Sequence, residues 1–67
     1  MLSISEALKL TTEEELLEEL AEHIKVRDKM GGDMWRAILH DECRQIAEKC
    51  LAVGVPHEEV QRVWEGN

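Results

Sequence analysis

Between Gly32 and Gly54 apolar residues return in steps of four and three, at Trp35, Leu39, Cys43, Ile46, Cys50 and Val53. That period belongs to a helix, and it gathers the six side chains into one narrow stripe. Met34 and Ile38 fall to one side of the stripe, Ala47 and Leu51 to the other, so the apolar surface is wider than a single neighbouring helix covers. The segment therefore has to sit at the centre of an all-α arrangement.

Punctuation sets the other elements. Thr11 and Thr12 each have a glutamate three residues on, Glu14 and Glu15, which is capping-box spacing and predicts a helix over about residues 12–30. Stepping 100° per residue from Leu20 places Leu16, Leu17 and Ile24 on one face, with Glu15, Glu18, Glu22, Lys25 and Lys29 opposite. That outer face runs from acid to base, the order the helix dipole favours. Gly31-Gly32 ends this helix, and Asp33 is the expected N-cap of the central one, over about residues 33–53.

Gly54 suits the left-handed position past a helix end, with Val55 expected against Cys50 in a Schellman ending. Pro56, Glu58 and Glu59 open a short third helix over about residues 56–65, which Gly66 closes. Residues 1–10 give a mixed signal: Ser3 and Glu6 have capping-box spacing while Leu2, Ile4, Leu8 and Leu10 partly alternate, and a short helical turn packed on the rest is the expectation. The fold class predicted is all-α, a three-helix arrangement in which two long helices form an antiparallel hairpin and a short one follows. Folding about Gly31-Gly32 pairs Ile24 with Leu39, Leu20 with Cys43 and Leu17 with Ile46, and brings Arg27 to the level of Trp35, on whose indole it is expected to stack.

The 67 residues allow one domain, 1–67, with a thin core, and chains of this size are commonly stable only with a staple, a metal, a second copy or very regular packing. Fifteen acids against eight bases give −7, which disfavours non-specific attachment to nucleic acid or anionic membrane. The imbalance is local: residues 1–24 carry seven acids and one base, residues 25–67 eight acids and seven bases. No stretch approaches the roughly 18 consecutive apolar residues of a membrane span, and the first residues lack the regions of a signal peptide, so a cytoplasmic chain is expected. Cys43 and Cys50, seven residues apart on one helix, are too distant to bridge and are expected to be reduced.

Chemistry-bearing patterns are few. Glu18-Glu19-Leu20-Ala21-Glu22 resembles the first magnesium motif of all-α nucleotide pyrophosphohydrolases of the MazG kind, a likeness that implies a second acidic pair on a facing helix. Asp41 and Glu42 are adjacent instead of having that family's ExxD spacing. His40 and Cys43 stand three apart, a spacing two zinc ligands can use with His23 or Glu19, yet no CxxC or HxxxH accompanies them. No Ser-His-acid spacing or phosphate-cradling glycine loop occurs, and both cysteines fall where the core should be. An enzyme is not expected, and neither a metal nor a cofactor is assigned.

Gly54-Val55-Pro56-His57-Glu58-Glu59-Val60-Gln61-Arg62-Val63 is similar to the turn and recognition helix of helix-turn-helix repressors of the LacI type, which implies a DNA-binding regulator using residues 46–65. The would-be recognition helix offers Glu58 and Glu59 with Arg62 as its cation, a balance that repels phosphates. The leading expectation is a small non-enzymatic regulator, inhibitor or adaptor that binds another protein and pairs with itself as a homodimer. Met34, Trp35, Ile38, Leu51, Val60, Val63 and Trp64 are its expected contact residues, because large apolar side chains beside the hairpin seam exceed what so short a chain readily hides. Glu15, Glu18, Glu19 and Glu22 form an acidic surface able to steer the chain toward a basic target, and an acidic mimic of DNA is the specific form of that idea.

Overall fold

The computed structural model describes residues 1–66, and among these the chain is all-helical: α1 (Ile4–Ala7), α2 (Glu13–Lys29), α3 (Asp33–Ala52) and α4 (His57–Trp64). Helices α2 and α3 pack closely as the hairpin, α4 lies against both, and α1 packs on α3. The central position expected of the 33–53 segment follows from those neighbours. Its stripe is buried in the middle, at Cys43, Ile46 and Cys50, half-buried at Leu39 and Val53, and open at Trp35.

Local signals explain the boundaries unevenly. At α1 the Ser3 hydroxyl accepts from the Glu6 backbone N–H at 3.3 Å and donates to the Glu6 carboxylate at 2.9 Å, so the N-terminal capping pair forms. At α2 the helix does open beside Thr12, but the Thr12 side chain makes no cap hydrogen bond, and the three glutamates of the first turn supply the favourable charge instead. Asp33 is also one position off its expected role: Gly32 is the N-cap of α3, and Asp33 is the acid of its first turn.

The ending of α3 is the best-specified junction. Gly54 sits at φ 104°, Gly54 N–H donates to the Leu51 carbonyl at 3.2 Å, and Val55 N–H donates to the Cys50 carbonyl at 3.0 Å. Those two bonds are the Schellman pattern, and they turn Val55 into the core beside Cys50. Gly66 repeats the left-handed stop after α4, at φ 81°.

Nine apolar residues form the core among those described: Ala7 from α1, Leu16, Leu20 and Ile24 from α2, Cys43, Ile46 and Cys50 from α3, Val55 from the turn and Val60 from α4. None is aromatic, so the interior is narrow, and the partly buried Leu2, Ile4, Leu8 and Leu10 have to close one end of it. His23 joins it at 1% exposure, its Nδ1–H donating to the Glu19 carbonyl at 2.7 Å. Sequence reasoning treated His23 only as a spare metal ligand, although its place one position before Ile24 puts it on the flank of the α2 stripe.

Candidate interaction surfaces

The side chains expected to meet a partner are divided among four places. Met34, Trp35 and Ile38 stand on the first turns of α3, 76%, 62% and 45% exposed, with Met30 at 38% beside them. Leu51, 42% exposed, lies near the other end of the same helix, where it shares an open groove of about 420 Å³ between α3 and α4 with Ala47, Val60 and Trp64. Val63 is in neither place; it borders a separate depression of about 340 Å³ with Ala21 and Ile24. The acidic residues lie apart again, on α2.

Two of these residues are more enclosed than expected. Val60 is 6% exposed and belongs to the core, because it is the residue through which α4 docks on the hairpin. Trp64 is half-buried, packed against that core and held from two sides. The Arg27 guanidinium lies 5.3 Å over its ring, and the His40 imidazole meets it edge-on at 5.4 Å. Arg27 therefore stacks on Trp64 rather than on Trp35. Helix α4 turns back beside the hairpin and lays its last residue at the level of Arg27, whereas Trp35 sits past the end of the seam, one turn from Gly32.

This arrangement leaves a cleft of about 560 Å³ near the turn, lined by Arg27, Asp33, Arg36, Ala37, His40 and Trp64. Arg27 is already committed there: its Nε donates to Asp28 at 3.1 Å and its Nη1 to His40 Nδ1 at 3.2 Å. Charge in the cleft is thus largely balanced within the chain.

On the outer side of α3 a polar ladder separates the two apolar areas. Arg44 donates to Asp41 at 2.8 Å and to Glu48 at 3.0 Å, and Gln45 donates to Asp41 at 2.9 Å. The hydrogen bond from Arg44, then that from Gln45, holds the Asp41 carboxyl below the usual carboxylate range, while the hydrogen bond to Asp41 and then the Glu48 charge push Arg44 upward. Met34 and Ile38 lie before this ladder and Leu51 after it.

Of the acidic set, Glu15 and Glu18 are exposed, Glu22 is half-exposed, and Glu19 is tied inward. The Glu19 carboxylate is 13% exposed; it accepts from the Leu2 backbone N–H at 3.0 Å and lies 3.7 Å from His23 Nδ1. Glu19 is accordingly a clamp for the N-terminal segment and not part of a free acidic face. Within the stretch that resembles the MazG kind, Glu19 is thus engaged by Leu2 and His23, while Glu18 is exposed. Among the described residues no three His, Cys, Asp or Glu side chains assemble in a way that could hold a metal ion.

Cys43 and Cys50 are free and buried, and burial pushes both thiols up from their ordinary value. Comparisons with protein-family models, curated proteins and solved structures give no match. No helix among the described residues is long and apolar enough to cross a membrane. Val53, Val55, Val60 and Val63, the apolar residues around and after Gly54 in the segment similar to LacI-type repressors, all pack in or against the core.

Proposed function

We propose that this chain is a non-enzymatic interaction module, a regulator, inhibitor or adaptor, that acts in the cytoplasm by binding another protein. One observation carries the reading: α3 leaves Met34, Trp35, Ile38 and Leu51 exposed while it gives Cys43, Ile46 and Cys50 to the core. Single exposed apolar residues are ordinary, but a tryptophan with a methionine and an isoleucine within one helical turn has the composition of an interface centre. The groove beside Leu51 adds a concave apolar strip that an extended segment or a helix edge of a target could fill. Exposed Glu13, Glu14, Glu15 and Glu18 leave a negative end on α2 that favours encounter with a basic surface. Buried, unbridged cysteines are compatible with a reducing compartment.

The test is capture from host extract on the immobilised full chain, wild type beside Leu51→Glu and Trp35→Glu. A protein retained in stoichiometric amount by the wild type and lost with either variant, while circular dichroism stays unchanged, supports the reading. Capture that ignores both substitutions contradicts it. Tight, salt-sensitive binding of duplex DNA in a gel shift would favour the helix-turn-helix reading instead, against the exposed Glu58 and Glu59 of α4.

A further inference from the structure

We infer that the turn end of the hairpin is where a second copy of this chain docks, the Met34, Trp35 and Ile38 side chains of two copies burying one another about a two-fold axis. The inference rests on the interaction reading above and says which of the exposed surfaces is closed by the chain itself. Its first support is uneven cover. On α2 the residues Glu19, His23, Val26 and Met30 follow one another at helical spacing along one flank. The N-terminal segment closes the start of that flank, where Leu2 bonds to Glu19 and His23 is buried. Helix α1 is four residues long, no further helix among the described residues precedes α2, and Met30 is left 38% exposed. Met34 and Ile38 extend the same open region onto α3.

Area is the second support. Met30, Met34, Trp35 and Ile38 are 38%, 76%, 62% and 45% exposed, a group of large apolar residues of the kind that makes the biggest patch on a typical monomer, roughly 300–600 Å², against the ~800 Å² that each partner of a standard interface contributes. A two-fold interface needs the same patch on both copies, and flexible methionines fit an imperfect self-match better than branched residues do.

Charge supplies the third, because it leaves this end of the chain open to a second copy. A chain of net −7 repels its own kind, so a self-interface has to lie away from the acids. Residues 13–22 hold six acids and no base, whereas residues 25–36 hold four bases and two acids. Glu22, the acid of that block nearest the turn, is eight residues from Met30, about 12 Å along a helix and beyond the Debye length of about 8 Å in physiological salt. Joining turn ends therefore keeps the acidic ends screened from each other. The rim carries both signs, Lys29 and Arg36 with Asp33, so an acid of one copy can face a base of the other.

Sedimentation equilibrium of the full chain from low micromolar to millimolar concentration, at low and high salt, decides the matter. The expected result is a reversible dimer and no larger species, with little salt dependence. Ile38→Glu should weaken it at least tenfold, Met34→Ser should weaken it measurably, and Leu51→Glu should leave it unchanged. Met34 is 76% exposed, so its replacement keeps the test sound if the charged variant misfolds. A wild type monomeric at millimolar concentration overturns the inference, as does a dimer that only Leu51→Glu breaks or a series of open-ended oligomers. A monomer that still captures a target through Leu51 would remove self-pairing while leaving the proposed function standing.

Discussion

The Arg27 guanidinium lies over the Trp64 ring, 5.3 Å from its centre, and this contact ties the last turn of α2 to the last turn of α4. Arg27 is only 15% exposed, so the pair is partly desolvated, and a coupling of about 1 kcal/mol is expected, between the exposed and the desolvated extremes for such contacts. A double-mutant cycle with Arg27→Met and Trp64→Leu, read by urea unfolding, measures it. Methionine keeps the packed stem and drops the charge, so coupling near zero would show that only the stem matters.

Two glycines that look alike in sequence should behave oppositely. Gly54→Ala places a Cβ at φ 104° with nothing within 4 Å, so the cost is backbone strain alone, about 1–2 kcal/mol. Gly31 has no positive φ and equally open surroundings, and Gly31→Ala is expected to be neutral or to stabilise by about 0.4–1 kcal/mol through the unfolded chain. Paired urea midpoints check both, and equal losses would contradict the turn geometry.

His23 is buried for its shape more than for its chemistry. Its one hydrogen bond goes to the Glu19 carbonyl at 2.7 Å, an acceptor that the helix ladder also serves. His23→Leu is expected to cost less than about 1 kcal/mol and His23→Ala about 2 kcal/mol or more, because only the second leaves a void. Thermal unfolding of the two variants separates these outcomes, and a costly leucine would assign the imidazole a role of its own.

Cys43 and Cys50 give the fold a dependence on alkaline pH. Burial raises both thiols, so the folded chain favours the neutral form. A raised folded value contributes stability that is complete below the ordinary thiol value of about 8.5 and is lost as pH climbs through the folded value. Urea midpoints should fall as pH rises above about 8.5, less so in the Cys50→Ala variant. At neutral pH a thiol reagent should label the native chain ~10²–10⁴-fold more slowly than the unfolded one, as opening of a domain worth about 3–5 kcal/mol would allow. Prompt labelling would place the thiols outside the core.

The hairpin and its central helix were legible because periodicity reports burial directly: Leu20, Ile24, Cys43 and Ile46 all sit where the stripes put them. The Gly54-Val55 junction was legible for a different reason, since one backbone geometry satisfies both residues. What sequence could not give was the path of α4. Whether Val60 or Trp64 faces water depends on the angle at which a short helix turns back, and that angle is set by contacts with both long helices. The misplacement of the Arg27 stack onto Trp35 came from the same gap, and so did counting Val60 as a contact residue. Capping signals at Thr12 and Asp33 marked the right neighbourhood without forming the expected bonds, because helix charge alone suffices there.

Acrylamide quenching of Trp35 in a Trp64→Phe background, followed over a dilution series, tests most directly whether the bare stretch of α3 is a surface that docks. The indole is expected to be freely quenched when dilute and progressively shielded as concentration rises or a captured target is added. An indole shielded at every dilution, or one still freely quenched at millimolar concentration and with target present, would contradict the account.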